Sequence, residues 1–360
     1  MVMSRTASEK SSVGGFIVSA DWHCHAWADA GAPIAGVNGR LVDFITALRE
    51  LITYARQHKI ERVYMLGDVW HLKKNIPEQA RNQLFMCLYD AVRSGIQFEF
   101  LAGNHDREDD RPDSVTILPF QAFAKVWTEP YADLSSRIVY VPWKYNQESV
   151  RAFLHALPKR DWALLLFHGE LDGAEVGPTD YQLKSKMTAK ALGCERFHAV
   201  FAGHLHKRQR VKGVWYPGSL IAKDFGELER DKGFLHVHPD GTVTPVAVTY
   251  PTFAVYIVRA DWNKDQTWEK VIDDITGKLV RILTPEPLDP ALVKRLEQAN
   301  PRYLDIRLLR DRAVLVPPPK QGDQQTFTTL IKSYVEQRGV PAELSQAYEA
   351  YGLQIMERET

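Results

Sequence analysis

Short apolar segments that end in metal-ligating side chains recur along this chain, and no other feature of the sequence restricts its fold as strongly. The segments are 16–20, 63–66, 97–101, 163–167 and 199–202. Each has the length and composition of a buried β-strand. The polar residues that follow them are, in order, Asp21 and His23, Asp68 and His71, Asn104 and His105, His168, and His204 and His206. Because open α/β sheets bind ligands at the carboxyl ends of their strands, we expect these side chains to converge on one site.

Helical patterns separate the first three of these strands. Apolar residues recur at helical period from about Arg40 to His58, and a second helix is expected to open at Pro77 and to end before Gly95. The alternation of strands and helices predicts the α/β fold class, with helices flanking the sheet. Farther along the chain, residues 115–127 are also predicted to be helical.

The chain beyond the last ligands predicts a second, smaller unit. Composition changes near Tyr250, and strands at 252–258, 279–283 and 303–309 alternate with helices near 268–275 and 289–299. Two short amphipathic helices, 326–337 and 341–357, are predicted to close the chain. The expected organisation is a disordered N-terminus (1–14), a large α/β catalytic domain (15–250), a small α/β domain (251–320) and a helical tail (321–360).

Composition and charge exclude several classes of protein. The 45 basic and 45 acidic residues give zero formal net charge, so a polyanionic partner has to be held by a local basic patch. Cys24, Cys87 and Cys194 form no CxxC pair, which argues against a disulfide framework or a structural zinc site. The N-terminus lacks the apolar core of a signal peptide, and no apolar run approaches about 20 residues. We therefore expect a cytoplasmic protein without a membrane partner.

The ligand types fit a pair of divalent ions. Such a pair requires a carboxylate that both ions share, together with imidazole and oxygen donors. Asp68 is the predicted bridge, because it stands between the early and the late ligands. The predicted groups are Asp21, His23 and His206 for one ion, and Asn104, His168 and His204 for the other. Asn104 is informative because a neutral amide cannot act as a general acid or base.

Hydrolysis of a phosphate ester is the reaction that this ligand set suits best. Paired ions lower the pKa of a bound water and neutralise phosphate oxygens. His105 has no place in either ligand group, so it is the candidate proton donor to the leaving oxygen. His71 is the candidate for positioning a phosphate or the leaving group, with a purely structural role as the alternative. Asp106 is predicted to cap a turn.

Taken in order, the short motifs resemble those of the calcineurin-like metallophosphoesterases. The motifs are Asp21-x-His23, Gly67-Asp68, Gly103-Asn104-His105-Asp106, His168 and Gly203-His204-x-His206. The resemblance implies that family's four-layer sandwich, in which two sheets are flanked by helices. Within the family, the chain is similar to the SbcD-type nuclease subunit of the SbcC–SbcD complex for DNA double-strand-break repair. That similarity rests on His71 in GDVWH, on segments 216–220, 224–227 and 232–234, and on a small α/β unit where those nucleases have a DNA-capping domain.

The narrower resemblance implies an activity, cofactors and partners. It implies cleavage of DNA phosphodiesters, as exonuclease and endonuclease, in DNA repair or recombination, with two divalent ions of manganese as cofactors. The implied partners are DNA, a second copy in a homodimer, and an SbcC-like coiled-coil ATPase that binds the two C-terminal helices. The chain departs from the family at His25, which stands where those nucleases often have glycine.

Four basic residues are candidate contacts to a DNA backbone, and alternatives stay open for them and for the function. The candidates are Arg40, Lys207, Arg208 and Arg210. The alternative for Arg40 is a surface arginine at a helix start, and for the other three an ordinary solvated edge strand.

The alternative functions are a phosphohydrolase of the same family that acts on a nucleotide or another small phosphoester, and a non-catalytic scaffold of the same fold.

Overall fold

The computed structural model describes residues 15–176, 181–228, 231–258 and 264–308. The chain divides into two compact units, one of Met1–Ile282 with Asp289–Ile306 and one of Leu283–Leu288 with Arg307–Thr360. The predicted disordered N-terminus and the two predicted helices at 326–337 and 341–357 lie outside the described residues. No helix within the described ranges is long and apolar enough to cross a membrane.

Helices and strands alternate in the first half of the described chain, and strands dominate the second half. The helices are α1 (Gly39–Gln57), α2 (Glu78–Arg93), α3 (Gln147–Ala156), α4 (Lys264–Asp274) and α5 (Pro290–Gln298). The first nine strands are β1 (Phe16–Ser19), β2 (Arg62–Met65), β3 (Gln97–Leu101), β4 (Lys125–Trp127), β5 (Tyr131–Asp133), β6 (Ile138–Val141), β7 (Trp162–His168), β8 (Glu175–Val176) and β9 (Tyr181–Gln182). The others are β10 (Phe197–Gly203), β11 (Gln209–Val211), β12 (Val214–Tyr216), β13 (Gly233–Val237), β14 (Val243–Ala247), β15 (Phe253–Ile257), β16 (Leu279–Thr284) and β17 (Tyr303–Leu308).

Two six-stranded sheets carry the ligand-bearing strands. The first has the order β14-β13-β1-β2-β3-β4, in which β1 to β4 run parallel. The second has the order β11-β12-β10-β7-β6-β5, in which β6, β7, β10 and β12 run parallel. Because β1, β2 and β3 are parallel neighbours, their carboxyl ends lie side by side, and the same holds for β7 and β10.

Burial of both faces of each sheet produces a four-layer arrangement. Alternate residues of β1 point to opposite sides, so that Ile17 packs with α1 and α2 while Phe16 and Val18 pack between the sheets. In the second sheet, Leu164 and Leu166 belong to the core between the sheets, and the opposite face packs against α3. The predicted four-layer α/β sandwich is therefore confirmed.

Residues 115–127 differ from the predicted helix. A short 3₁₀ helix spans Leu118–Ala122, and the chain then continues as β4, which pairs in parallel with β3. The backbone of Ala102 donates to the carbonyl of Trp127 (3.0 Å), and the Trp127 indole donates to Glu99 (3.1 Å). Residues 125–127 therefore form backbone hydrogen bonds with the open edge of the first sheet. The helical prediction is wrong here.

The small C-terminal α/β pattern folds as predicted in the part that the structure describes. Strands β15, β16 and β17 form a three-stranded sheet in that order, with α4 and α5 in the connections. Arg302, which precedes β17, donates to the Gly39 carbonyl (3.1 Å) and to Asp43 (3.2 Å) at the start of α1. These bonds tie the beginning of α1 to the residues just before β17.

Candidate metal centre

The five ligand-bearing strand ends meet at one place between the two sheets. Backbone hydrogen bonds join the first two loops, from Asp21 to the Gly67 carbonyl (3.0 Å) and from His23 to the Asp68 carbonyl (2.9 Å). Four of the ligand-bearing residues have positive φ angles, namely Asp21 (52°), His23 (43°), Asp68 (58°) and His204 (100°). L-residues rarely adopt this backbone conformation, so the surrounding bonds hold these loops in shape.

Asp68 lies at the centre of this cluster. It is 1% exposed, and its two carboxylate oxygens face different histidines. Oδ2 lies 3.7 Å from Nε2 of His23, and Oδ1 lies 3.5 Å from Nε2 of His168. Gly103 permits this approach, because a Cβ there would lie 2.2 Å from Asp68 Oδ1. One carboxylate is thus positioned between two separate groups of ligands.

The first group contains Asp21, His23 and His206. The Nε2 atoms of His23 and His206 lie 2.9 Å apart, and the potential ligand atoms of all three residues lie within 4.8 Å of one another. The Asp21 carboxylate accepts the backbone N–H of His204 at 2.9 and 3.0 Å. This bond connects the first group to the loop that carries the second.

The second group contains Asn104, His168 and His204. Oδ1 of Asn104 lies 3.0 Å from Nε2 of His168 and 2.9 Å from Nδ1 of His204. Asp68, His168 and His204 also bring their ligand atoms within 4.8 Å of one another. The amide oxygen therefore faces two imidazole nitrogens, as a shared metal ligand sphere requires.

The electrostatics of this cluster fit bound divalent cations. Burial lowers the pKa of His168 and of His204 to about 3, so both imidazoles are neutral and able to act as ligands. Burial and then the charge of Asp68 raise the pKa of Asp21 well above its ordinary value, which reflects carboxylates crowded into a dry site. A cation offsets that repulsion. Mixed imidazole and oxygen donors suit several divalent metals, including manganese and zinc.

Two hydrogen bonds fix the orientation of imidazoles in the cluster. Nδ1 of His168 donates to the Leu66 carbonyl (2.6 Å), and Nδ1 of His206 donates to Oε1 of Glu227 (2.7 Å). With Nδ1 as the donor, each ring directs Nε2 toward the centre, which is the arrangement that metal-binding histidines usually show.

Glu227 was not singled out by the sequence, although it lies in the segment 224–227 that carries the resemblance. Its second oxygen accepts from Lys232 (2.8 Å) and from Ser219 (3.2 Å). Burial acts to raise the pKa of Glu227, but the hydrogen bond from His206 and the charge of Lys232 outweigh it and lower the pKa to about 2. Glu227 is therefore a carboxylate that acts on the cluster through His206.

Asp106 connects two of the ligand loops. Its carboxylate accepts backbone N–H groups from Asp68 (2.8 Å), Val69 (3.0 Å), Trp70 (3.2 Å) and Gly103 (2.9 Å). The side chain is fully buried and does not face the metal cluster with a free oxygen. Asp106 thus caps the turn, as expected, and fixes the loop after β2 to the loop after β3.

His105 and His71 lie beside the cluster. The backbone N–H of His105 donates to Asp68 Oδ1 (2.8 Å), and its Nδ1 donates to the His71 carbonyl (2.7 Å). The ring of His105 lies 4.8 Å from that of His23. His71 packs against Trp27 (4.1 Å between ring centroids) and His25 (5.3 Å), and burial is the main cause that lowers its pKa to about 4. The structure therefore brings both predicted catalytic histidines to the site.

The predicted substrate-binding arginines Arg40 and Arg208 do not face it. Arg40 is 2% exposed and donates to the carbonyls of Ala222 (3.0 Å) and Lys223 (3.1 Å). Arg208 donates to the Pro217 carbonyl (3.2 Å) through Nε, and its side chain is 9% exposed. Both predictions are wrong, because backbone carbonyls inside the protein take up these guanidinium groups.

Lys207 and Arg210 lie in or beside an edge strand, which was the alternative interpretation. Lys207 forms an ion pair with Glu175, and Arg210 lies over the ring of Trp215, 4.9 Å from its centroid. Strand β11 stands at the end of the second sheet. Lys207 also lines a cavity beside His204 and His206, whereas Arg210 is not among its lining residues.

The chain is similar in sequence to a viral protein and, at low identity, to solved structures. Protein 244L of Invertebrate iridescent virus 6, a phosphoesterase-like protein, is 28% identical over 181 residues, which are 47% of this chain and 61% of that protein. This chain thus spans less than two thirds of that relative. Among solved structures, a dimetal phosphatase of Danio rerio is 12% identical (TM-score 0.37, 63% of this chain, 92% of that chain). Nuclease MPE of Pseudomonas putida is 16% identical (TM-score 0.27, 64% and 87%).

The region that holds the ligand-bearing strands also matches a protein family. Residues 15–208 match the calcineurin-like phosphoesterases, and this range contains the complete set of seven predicted ligands together with His71 and His105. This chain belongs to the calcineurin-like phosphoesterase family.

Proposed function

We propose that the protein is a two-metal-dependent phosphodiesterase that cleaves DNA, as an SbcD-type exonuclease and endonuclease. The observation that carries this proposal is the position of Asp68, which directs one carboxylate oxygen toward His23 and the other toward His168. A carboxylate between two ligand groups is what a pair of ions requires.

Each part of the site has a role in this proposal. The residues that would hold the ions are Asp21, His23, Asp68, Asn104, His168, His204 and His206. When bound, two divalent ions provide a nucleophilic water near neutral pH and neutralise oxygens of the phosphate ester. Asp106 and Glu227 keep the ligand loops and the His206 ring in place through the bonds described above.

His105 is the proposed proton donor to the leaving oxygen. Its Nδ1 proton is held by the His71 carbonyl, so the protonated ring carries its transferable proton on Nε2. The bond from its backbone to Asp68 fixes the ring beside the ligand cluster. Transfer of the Nε2 proton to the departing oxygen avoids release of a strongly basic alkoxide. His71 is proposed to position the phosphate or the leaving group.

DNA is the proposed substrate because lysines, among them the partly exposed Lys223, adjoin the site of a chain that is neutral overall. Lys207, Lys223 and Lys232 line a cavity of about 320 Å³ next to His204 and His206. Glu175, Asp224 and Glu227 line the same cavity. Contacts between basic side chains and phosphates supply most of the sequence-independent affinity for DNA. The sequence resemblance to SbcD-type nucleases points to the same substrate class.

The cofactor identity, partners and cellular role are part of the same proposal. Manganese is the proposed metal, and DNA repair or recombination in the cytoplasm the proposed role. A second copy of the chain and an SbcC-like coiled-coil ATPase are the proposed protein partners. Their support is the sequence resemblance, and the segment proposed to bind the ATPase lies outside the described residues.

A nuclease assay tests the proposal. Linear double-stranded, single-stranded and circular DNA are incubated with the protein and manganese, magnesium or a chelator, with bis(p-nitrophenyl) phosphate as a small diester. We expect degradation of linear DNA with manganese, much less with magnesium, and none with the chelator or with Asp68→Asn. Hydrolysis of the small diester without cleavage of any DNA form would replace this proposal with a small-molecule phosphohydrolase.

A further inference from the structure

Three lysines line the cavity beside His204 and His206, namely Lys207, Lys223 and Lys232. Lys232 is 2% exposed and bonds to Glu227 and to the His206 carbonyl, and Lys207 pairs with Glu175. Lys223 differs from both. Its Nζ is 4.0 Å from Oε1 of Glu227, beyond hydrogen-bond distance, and its side chain is 24% exposed. Its ammonium group therefore has donors to offer within the cavity.

The position of Lys223 relative to His206 decides which part of a substrate it reaches. Nε2 of His206 faces the metal cluster, whereas Nδ1, on the other side of the ring, donates to Glu227. Lys223 approaches Glu227, the residue that Nδ1 of His206 contacts. A phosphate held by bound ions would lie on the Nε2 side of His206, so the group that reaches Lys223 would be a different one of the same substrate.

The charge of Lys223 nevertheless reaches the cluster. It contributes to lowering the pKa of His23 and of His204, in each case after larger effects that begin with burial. It also counteracts the effect by which burial raises the pKa of Asp68. Lys223 also lines the same cavity as His204 and His206, so a substrate that occupies the metal centre and extends into the cavity passes Lys223.

Arg40 holds the backbone of Lys223 in this position. One guanidinium nitrogen, Nη2, donates to the carbonyls of Ala222 (3.0 Å) and Lys223 (3.1 Å). The ring of Phe253 lies against the guanidinium group, 4.8 Å from Cζ. A buried charge is costly unless it is bonded in this way, so the pair of carbonyls is firmly attached to α1.

We propose that Lys223 binds the phosphate that flanks the scissile one in a nucleic acid strand, and that Arg40 is its positioning residue. The proposal rests on the proposed nuclease function and names the substrate feature that separates a nucleotide chain from a lone diester. Lys223 donates to a non-bridging oxygen of the flanking phosphate. Hydrogen bonds to charged groups are worth about 1.5–3 kcal/mol, so losing this bond lowers kcat/KM at least about tenfold.

Substrates with a single scissile ester isolate this contact. They are the p-nitrophenyl ester of thymidine 5′-phosphate with or without a 3′-phosphate, and the p-nitrophenyl ester of thymidine 3′-phosphate with or without a 5′-phosphate. We expect the wild type to prefer one phosphate-bearing ester by about tenfold or more. Lys223→Ala should lose the preference, because its activity on the phosphate-bearing ester falls about tenfold or more beyond any change on the bare ester, and Lys223→Arg should keep the preference. Lys159→Ala is the control, because Lys159 is exposed just before β7, at the opposite end from His168.

A binding measurement gives a readout that does not depend on turnover. Calorimetry is carried out on the manganese-loaded protein with thymidine 3′,5′-bisphosphate. This compound should bind the wild type at least about tenfold more tightly than it binds Lys223→Ala. Arg40→Lys should reduce the preference by more than it changes hydrolysis of the bare esters, and full retention of the preference would remove Arg40 from the proposal. An equal loss on bare and phosphate-bearing esters, or an unchanged preference in Lys223→Ala, would overturn the role of Lys223. Failure of the wild type to cleave any DNA, with the ester preference intact, would instead overturn the nuclease proposal.

Discussion

His105 is the residue whose proposed role is separable from metal binding. Its ring is held by the His71 carbonyl and not by either ligand group. We predict that His105→Ala lowers kcat on DNA by about 10²- to 10⁴-fold, the usual contribution of a general acid, while two manganese ions stay bound. The loss should be smaller on a p-nitrophenyl ester, because that leaving group departs without protonation. Elemental analysis beside steady-state kinetics checks this, and loss of metal in the variant would show that His105 is a ligand.

Glu227 allows a second test at a single residue. Glu227→Gln keeps the shape of the side chain but removes the charge that His206 and Lys232 share. We predict that manganese affinity at the His206 site falls about 10- to 100-fold, as is typical when a group behind a metal-binding histidine is changed. Isothermal titration against Glu195→Gln, an exposed control, measures it. An unchanged affinity would mean that Glu227 serves only to bind Lys232.

The sequence predicts the residues whose own side chains are candidate metal ligands. It does not predict residues such as Glu227, which contact the site through another side chain. Asp68 and Asn104 follow apolar strands directly, so their convergence follows from sheet geometry. Glu227 contacts the cluster only through His206, 21 positions earlier in the chain, and no local pattern marks that contact. Arg40 was misjudged because helical periodicity locates a helix start but does not show whether a later segment covers it.

At the scale of elements, the side chain of Asn38 both caps α1 and bonds to the loop before it. Asn38 caps α1 by accepting from the Leu41 N–H (3.1 Å), and its amide donates to the Trp27 carbonyl (2.8 Å). We predict that Asn38→Ala lowers the free energy of unfolding by about 0.5–2 kcal/mol. Asn38→Asp retains the acceptor and should recover most of that loss.

The same pair of variants separates the cap from the loop contact. Asn38→Asp loses the donor to Trp27, so the loop that brings Trp27 against His71 should become more sensitive to limited proteolysis than in the wild type. Urea unfolding together with proteolysis checks both effects. Equal stability of Asn38→Ala and the wild type would contradict the capping role.

Helices with a strong apolar periodicity were predictable from the sequence. Strands that form by pairing with a neighbouring strand were less predictable. The start and end of α1 lie within one residue of the prediction. Strands β11 and β12 form a hairpin, in which Lys212 (φ 48°) and Gly213 (φ 89°) turn the chain, and apolar periodicity does not mark this turn. In residues 115–127, the free edge beside β3 decides the structure, because pairing with that strand makes the segment continue as β4.

At the scale of the whole molecule, the metal centre joins loops from both sheets, so occupancy should stabilise the entire fold. A ligand at about 100 times its Kd adds about 2.7 kcal/mol per site to the free energy of unfolding. We predict that manganese raises the melting temperature of the wild type, that Glu227→Gln retains part of the increase, and that Asp68→Asn loses nearly all of it.

Thermal unfolding with manganese or chelator measures this difference. Asp240→Asn, in the turn between β13 and β14, is the matched control and should respond like the wild type. A full manganese response in Asp68→Asn would contradict a carboxylate shared by both ions.

The four-layer class was predictable from alternating strands and helices. The contact of Arg302 with α1 was not, because it joins residues 259 positions apart and no local sequence pattern marks it.

The positive φ angles of Asp21, His23, Asp68 and His204 have an evolutionary consequence. Strain of this kind costs about 1–3 kcal/mol per residue, and glycine relieves it. Glycine at any of these four positions would therefore be expected to stabilise the fold and, at the same time, to remove a candidate metal ligand. A lineage selected for robustness alone would therefore drift toward an inert protein of the same shape.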